Sequence, residues 1–327
     1  MSESAPETTP SEGAPAAPRR PGLAQRILPW FVTIGCFAYL YSRIASQAGR
    51  EGMSAFAYLA KVFGAVDWGT WLLLMIPYSV LYALIDTTVL WRVINWFNTR
   101  VSYGDLFPIR VSTYIISILN EQVGKGAIAV YLNRRDGVPA WQLGSSMLFI
   151  MFCEFFYLLA WATIGSLVSW DRVPAVFHWI PALAGVGAVV FVVVVYLFRS
   201  ERTRLAFRER QIFTAFRQAA PWQYGTVVLI RSPALLAAVW VYSQAAGLFG
   251  VEIGLLEMLG VLPVIFFGTL IPGPFRAAAV TLWPTLFADQ AAQMTAFGFV
   301  QHNFFVLFNA AIGLLFLRRA NRELFES

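Results

Sequence analysis

Two apolar stretches, each broken near its middle, hold the residues of this chain that are best suited to bind a ligand. In the first stretch, Pro108–Leu132, the interruption consists of Asn120, Glu121, Gln122, Gly124, Lys125 and Gly126, with one valine among them. Glu121 and Lys125 stand four residues apart and can pair across a helix turn. In one interpretation, the opposite charges of the pair cancel, so that the segment tolerates burial in the membrane. In the other, the pair binds a polar ligand together with backbone N–H groups near the glycines. We favour the ligand-binding interpretation.

The second broken stretch, Gly254–Phe287, contains a fixed positive charge beside its break. Ile271 is followed by Pro272, Gly273, Pro274, Phe275 and Arg276. A helix that begins near Phe275 would direct its free N–H groups and its positive dipole end at the break, and Arg276 adds a charge there. The segment therefore predicts a site for an anion such as a lipid phosphate or a carboxylate. Alternatively, Arg276 extends to the membrane interface from a shallow hairpin.

Further ionisable and polar residues lie outside the breaks. Arg134 and Arg135 follow the first stretch, where attraction to lipid headgroups explains them and substrate capture is a second possibility. Glu154 and Arg231 lie inside long apolar segments, and we expect a structural ion pair in preference to a substrate role. Asp86 lies near Arg92, and we expect it at the membrane interface.

A polar stripe runs along the last apolar segment. It consists of His302, Asn303 and Asn309. Such residues usually form hydrogen bonds between helices. His302 and Asn303 are also candidates for substrate contact, and a proton-linked role for His302 is an alternative.

The composition excludes several classes of protein. Hydrophobic residues make up 58% of the 327 residues and charged residues 13%, whereas an average soluble domain is about 25% charged. A soluble enzyme is therefore excluded. With Cys36 and Cys153 as the only cysteines and two histidines, the sequence predicts neither a metal site nor a cofactor. The formal charge of +6 lies mostly on arginines beside apolar segments, which indicates membrane topology and not nucleic-acid binding.

The fold class that follows is an all-α polytopic membrane protein. We predict six full spans: Leu28–Ser46, Trp68–Trp91, Trp141–Val168, Val176–Phe198, Trp222–Leu248 and Ala292–Leu317. Each half of a broken stretch is too short to cross about 30 Å of hydrocarbon. We therefore expect two re-entrant helical hairpins, at about residues 108–132 and 254–287.

The distribution of arginines predicts the topology. The Arg199–Pro221 loop is rich in arginine, as are both ends of the chain, so all three should be cytoplasmic. With both broken stretches as hairpins, the two units that contain them have opposite orientations, which makes an inverted-topology repeat of the kind found in secondary transporters.

The same analysis divides the chain into segments. Residues 1–22 are predicted to be a disordered tail, residues 23–319 a single transmembrane domain, and residues 320–327 a cytoplasmic tail. Within the Arg199–Pro221 loop, one face of a predicted amphipathic helix on the inner leaflet is apolar and consists of Leu205, Ile212, Phe213 and Phe216.

Short motifs resemble the flippase-like transmembrane family named for the membrane half of lysylphosphatidylglycerol synthase. One is Leu119-Asn120 with the following glycines and the segment from Tyr131 to Val138, and the other is Leu262-Pro263 with Ile271-Pro272-Gly273-Pro274. The chain departs from the family pattern where Gln122-Val123 precedes Gly124 and where Ala277 to Ala279 replace an expected acid. The resemblance implies movement of a phospholipid or lipid-linked headgroup between leaflets, without aminoacyl transfer.

We therefore expect a lipid translocase of the bacterial inner membrane, without enzymatic activity. The expected partners are the membrane and an anionic phospholipid or lipid-linked substrate, bound at the tips of the two hairpins. A lipid-binding scaffold that does not transport is the first alternative. An intramembrane lipid transferase with Glu121 as its base is the second.

Overall fold

The computed structural model describes residues 23–117, 121–200, 209–271 and 276–325. Within these ranges, the side chains of residues 23–30, 32, 117, 121–125, 127 and 318–325 are outside the description. The predicted disordered tail and the two C-terminal residues thus lie outside the described part of the chain.

The described residues form twelve α-helices with short 3-10 turns and no strand. The helices are α1 (Leu23–Arg50), α2 (Ala55–Ala65), α3 (Trp68–Phe97), α4 (Tyr103–Ser117), α5 (Glu121–Asp136), α6 (Ala140–Val168), α7 (Ile180–Arg199), α8 (Thr214–Gln218), α9 (Pro221–Gly247), α10 (Leu255–Leu270), α11 (Ala277–Leu286) and α12 (Ala291–Phe325). The predicted C-terminal tail from residue 320 is largely a continuation of α12.

Five helical segments are long and apolar enough to cross a membrane. They are Trp68–Phe97, Ala140–Val168, Ala175–Arg199, Pro221–Gly247 and Ala288–Leu317. The Ala175–Arg199 segment is the most apolar, and the most apolar part of it has no buried residue. Its outward-facing valines, among them Val186 and Val189, require an apolar surrounding. These helices indicate an integral membrane protein, and the first predicted span, Leu28–Ser46, lies inside α1.

The starts of several helices follow from local sequence. The side chain of Asp67 accepts hydrogen bonds from the backbone N–H groups of Gly69 and Thr70 at 3.0 and 3.2 Å, which caps α3. Hydrogen bonds from the hydroxyl and backbone of Thr70 hold the pKa of Asp67 below its ordinary value. Pro221 occupies the first turn of α9, where its missing N–H has no cost.

Helix pairs α4–α5 and α10–α11 occupy the two stretches that the sequence predicts to be broken. Their members have 15, 16, 16 and 10 residues, so each is shorter than the roughly 20 residues of a full span. Within each pair the two helices pack against one another. The first break is narrower than predicted, because α5 begins at Glu121 and runs through Gly124 and Gly126. A glycine inside a helix costs only about 1 kcal/mol relative to alanine and does not end it.

Two helix crossings between these pairs and the long helices are very close. α12 crosses α4, and α10 crosses α6. A Cβ atom on Gly313 would collide with the carbonyl of Val111, and one on Gly165 with the carbonyl of Leu259. Gly313 stands 148 residues after Gly165, and Leu259 stands 148 residues after Val111. The same contact therefore recurs at one constant offset.

The apolar interior contains two large clusters. One includes Trp71, Tyr242 and Trp283, and the other includes Leu132 and Phe149. Each of the helices α3, α6 and α9 contributes buried residues to both clusters. Along each helix, an ionisable residue lies between the buried residues of one cluster and those of the other. These residues are Asp86, Glu154 and Arg231, and together they mark the boundary between the clusters.

The segment before α9 differs from the predicted amphipathic helix. Residues Gln211–Phe213 form a 3-10 turn, and α8 has only five residues. Phe216 is buried and contacts Phe149 of α6 and Phe198 of α7. Leu205 lies outside the described residues. Phe216 thus faces the bundle instead of lipid.

Candidate functional site

Four helices bring a buried ionic cluster together at the boundary between the apolar clusters. It consists of Asp86 on α3, Arg110 on α4, Glu154 on α6 and Arg231 on α9. All four side chains are at least 88% buried. Because ionised groups are costly to bury, such clusters are held only where each charge has partners.

Asp86 is held by side chains from two helices, α4 and α9. Arg110 Nε donates to Asp86 Oδ2 at 2.6 Å, and the hydroxyl of Tyr114 donates to the same oxygen at 3.0 Å. The expectation that Asp86 lies at the interface is wrong, since its side chain is buried between α3 and α4. Arg110 was not predicted as a site residue. Its partner is 24 positions away, and only the packing of α4 on α3 brings the two together.

Arg231 lies between the two carboxylates. Its Nη2 is 3.5 Å from Asp86 Oδ1, and its Nη1 is 3.3 Å from Glu154 Oε1. The third nitrogen, Nε, is buried and has no acceptor among the described residues. The hydroxyl of Tyr157 donates to the backbone carbonyl of Arg231 at 3.3 Å and fixes this turn of α9. The structure thus places Glu154 and Arg231 in contact.

A cavity of about 50 Å³ adjoins the cluster and is lined by Asp86, Glu154, Arg231 and Arg276. Its remaining walls are mostly aromatic and include Tyr78, Tyr82, Tyr157, Tyr242, Phe266 and Phe305. A volume of this size holds a few water molecules. The cavity is therefore a polar chamber inside an otherwise apolar bundle.

Arg276 reaches this cavity from the start of α11. It directly precedes the helix, and its φ of 49° lies in the left-handed region, where among the described residues it is the one non-glycine. Residues other than glycine, asparagine and aspartate enter this region only at an energetic cost. The Arg276 guanidinium carbon lies 5.1 Å from the centroid of the Phe305 ring, a cation–π distance. Helix α11 begins at Ala277, close to the predicted start.

The described charged groups of the cluster and the cavity wall are unequal in number. Among the described residues of the cluster and cavity wall, the guanidinium groups of Arg110, Arg231 and Arg276 face the carboxylates of Asp86 and Glu154. Among these described groups there is one more guanidinium than carboxylate. This set suits an anion, since guanidinium groups bind carboxylate and phosphate through paired hydrogen bonds.

Most predicted residues of the hairpin tips lie wholly or in part outside the described structure. Asn120, Pro272, Gly273 and Pro274 lie outside the described residues. The backbone of Glu121, Gln122, Gly124 and Lys125 is helical, but their side chains are outside the description. Gly126 is exposed on α5.

The two arginines after the first pair lie at the surface. Arg134 is exposed. Arg135 lies near Asp105 and Asp136, at 3.6 and 3.7 Å, and donates to the hydroxyl of Tyr131 at 3.3 Å. Neither arginine lines the central cavity.

The polar stripe of α12 faces α11 in part. Trp283 Nε1 of α11 donates to Nε2 of the buried His302 at 3.2 Å. Asn303 and Asn309 donate to the carbonyls of Phe299 and Phe305, one helix turn earlier. His302 therefore has a partner between helices, whereas the described bonds of the two asparagines lie within α12.

No protein-family model, curated protein or solved structure matches this chain. The resemblance to the flippase-like family thus stays a prediction from the sequence motifs.

Proposed function

We propose that this protein moves a phospholipid or lipid-linked anionic headgroup between the leaflets of a membrane, through the cavity beside the ionic cluster. The headgroup enters the cavity while the acyl chains stay in the surrounding lipid. The bilayer around the apolar helices supplies the substrate.

The observation that carries this proposal is a cavity lined by two arginines and two acids among long apolar helices, beside a third buried arginine, Arg110. Glu154 lies at the middle of α6, and Asp86 and Arg231 also lie well inside α3 and α9. Ionisable groups at that depth are costly and mark pathways for polar substrates. Arg231 and Arg276 supply donors for a phosphate, and the aromatic walls supply a surface that tolerates water or lipid.

The packing of the helices supports the proposed inverted repeat. If α3, α4, α5 and α6 correspond to α9, α10, α11 and α12, then the close α4–α12 crossing corresponds to the close α10–α6 crossing. The constant offset of 148 residues between Gly165 and Gly313 and between Val111 and Leu259 fits this correspondence. The proposed topology is six spans, with α1 as the first, and two re-entrant pairs. The N- and C-termini are then cytoplasmic, at the bacterial inner membrane.

A transport cycle requires this cavity to open. At about 50 Å³ it holds water but not a glycerophosphate headgroup. The start of α11 is the element suited to move, because it carries Arg276 to the cavity wall and α11 is shorter than a full membrane span. In secondary transporters, broken helices of this kind surround the substrate site near the middle of the bilayer.

Transfer of a fluorescent lipid in proteoliposomes tests the proposal. The purified protein is reconstituted with phosphatidylglycerol that carries a quenchable headgroup fluorophore, and quencher is added outside. We expect the inner-leaflet signal to become accessible with the wild-type protein and with Arg92→Gln. Arg276→Gln should slow this at least about tenfold, as expected for the loss of a charge-assisted contact of about 1.4 kcal/mol.

Arg92 is a matched control for Arg276. Its guanidinium carbon also lies over an aromatic ring, 4.8 Å from the centroid of Trp91, but it does not line the cavity. If the inner-leaflet signal stays protected while lipid co-purifies with the protein, a lipid-binding scaffold replaces the translocase. A labelled product formed from lipid and a donor would indicate a transferase.

A further inference from the structure

We infer that an apolar groove between α6, α7 and α9 binds one acyl chain of a membrane phospholipid, at a site separate from the ionic cavity. This inference goes beyond the proposed function and does not depend on it, since a protein that moves no lipid can hold a chain in this way. Its basis is the size, the lining and the position of the groove.

The apolar groove is large enough for a ligand. Its volume is about 650 Å³, within the range of about 300–1,000 Å³ that small-molecule sites occupy. α7 and α9 both pack on α6 and flank the groove. None of the described residues that line it is charged, and the hydroxyl of Thr163 donates to the carbonyl of Leu159 at 2.7 Å within α6. The walls therefore suit a hydrocarbon chain.

Small residues leave this space open between the helices. They are Ala160 of α6, Ala184 and Ala188 of α7, and Gly225 of α9. A Cβ atom on Gly225 would meet no other atom within 4 Å. Phe191 of α7 and Tyr224 of α9 also line the groove, and their ring centroids are 5.3 Å apart. Large side chains thus hold the flanking helices together beside a space that the small ones keep open.

The length of the apolar groove matches one acyl chain. Its α6 wall runs from Cys153 to Ile164, which is about 16 Å at 1.5 Å per residue. This is roughly half of the 30 Å hydrocarbon core and therefore about the depth of one leaflet. A single chain of one leaflet can lie along the groove with protein on more than one side.

The surroundings of the groove supply this occupant. The most apolar part of the flanking segment Ala175–Arg199 has no buried residue, so its outer face requires an apolar surrounding. Water does not occupy apolar spaces stably, and an unfilled void loses dispersion contacts with its walls. A neighbouring lipid chain fills the space without burial of a polar group. Residues 201–208 follow α7 in the chain, but four of the eight are charged, and charged side chains are costly to bury among apolar walls.

The apolar groove lies next to the ionic cavity, on the other faces of the same two helices. On α6, Cys153 lines the groove and the following residue, Glu154, lines the cavity. On α9, Val228 lines the groove and Arg231, about one turn later, lines the cavity. A chain in the groove therefore packs on the same turns of α6 and α9 that carry the contact between Glu154 and Arg231.

Photolabelling with a lipid probe tests the inference. The purified protein in dodecyl maltoside is incubated with phosphatidylcholine that carries a diazirine in one acyl chain. Excess lipid is removed by gel filtration, the sample is irradiated, and the labelled residues are located by mass spectrometry. The zwitterionic headgroup keeps this probe distinct from the anionic substrate of the proposed function. We expect the label on residues that line the groove, such as Leu159, Ala188 and Val228.

Leucine in place of Gly225 should block the site. The added side chain occupies the groove, so we expect labelling of the groove to fall at least about fivefold. Gly185→Leu is the matched control, because Gly185 is also an exposed helical glycine with open space around its Cβ position but does not line the groove. Its labelling should equal that of the wild type. Ala188→Leu fills the groove from α7 and covers the case in which Gly225→Leu does not fold.

Several results would overturn the inference. Labels mainly on the outward face of α7, at residues such as Val186 and Val189, would indicate surrounding lipid only. An unlabelled groove in the wild type, as expected if residues 201–208 cover it, and unchanged labelling in the two leucine variants of the groove count equally against it. A dimer that Gly225→Leu dissociates and Gly185→Leu does not would assign the groove to a second copy of the chain. If the groove is labelled as expected but proteoliposomes show no lipid transfer, the translocase proposal fails and the acyl-chain site remains.

Discussion

Asp86 and Arg110 are the structural half of the ionic cluster. The two side chains are almost wholly buried and 2.6 Å apart, and Tyr114 donates to the same carboxylate oxygen. Arg110 also donates to the hydroxyl of Thr113 at 3.2 Å, within its own helix. A buried pair of this kind contributes little net stability compared with an apolar pair, but loss of one partner leaves a charge without compensation. The pair therefore fixes α4 against α3.

Neutralisation of Asp86 should destabilise the protein strongly. In Asp86→Asn, the guanidinium groups of Arg110 and Arg231 lose their shared carboxylate, and we expect a loss of about 3–5 kcal/mol in the free energy of unfolding. Thermal unfolding of the purified protein in detergent measures this effect. Asp171→Asn is the control, because Asp171 is exposed between α6 and α7. Equal stability of the two variants would contradict the structural role.

At the level of single residues, the sequence predicted part of this cluster. Glu154 and Arg231 are recognisable because each is an isolated charge inside a long apolar segment. Asp86 has Arg92 nearby in the chain, so its sequence neighbourhood is typical of an interface residue. Arg110 follows Pro108 near the start of an apolar stretch, where an arginine is common. The pairing of Asp86 with Arg110 depends on the rotation of α3 and α4 about their axes, which local sequence does not determine.

At the level of elements, two glycines permit the close crossings that place the short helices against the long ones. Gly165 of α6 faces the backbone of α10, and Gly313 of α12 faces the backbone of α4. Ser169 strengthens the first crossing by donating to the carbonyl of Leu256 at 2.7 Å. Small residues at such crossings let helix backbones approach closely, which is how helices in membranes gain packing energy.

Enlargement of either glycine should weaken these crossings. We expect Gly165→Ala and Gly313→Ala to lower the free energy of unfolding by about 1–3 kcal/mol each, because the added methyl group meets a backbone carbonyl that cannot move aside. Gly185→Ala on α7 is the matched control, since open space surrounds its Cβ position. That variant should be neutral or slightly more stable. Thermal unfolding in one detergent compares all three, and unchanged stability in the first two would refute the crossings.

The sequence predicted the elements better than their contacts. The lengths of the apolar segments identified the long helices. Proline and glycine residues identified the break between α10 and α11. The first break was predicted to extend as far as Gly126, because the glycines in Gly124-Lys125-Gly126 suggested a turn where the helix continues. The segment around Phe216 was assigned to the membrane surface, because an amphipathic face has the same pattern whether it packs on lipid or on protein.

At the level of the whole molecule, the direction in which each long helix crosses the membrane depends on the two short pairs. The question is whether α4–α5 and α10–α11 each return to the side of the membrane from which they enter. If both do, α3 and α6 cross in opposite directions with the first pair between them, and α9 and α12 enclose the second pair. The loop between α6 and the next span then lies outside, and the arginine-rich segment before α9 lies inside. If each pair crossed the membrane once, the arginine-rich segment would fall outside, against the usual distribution of charge.

A reporter placed in the Asp171–Pro174 loop separates these arrangements. Alkaline phosphatase folds only outside the inner membrane and green fluorescent protein fluoresces mainly inside, so insertions of each give opposite signals. We expect phosphatase activity at Asp171–Pro174 and fluorescence from a fusion after Ser327, because the proposed topology places the loop outside and the C-terminus inside. The C-terminal fusion is the control for expression and insertion. A fluorescent, phosphatase-negative insertion at Asp171–Pro174 would refute the re-entrant arrangement, and with it the opposed orientation of the two units around the ionic cavity.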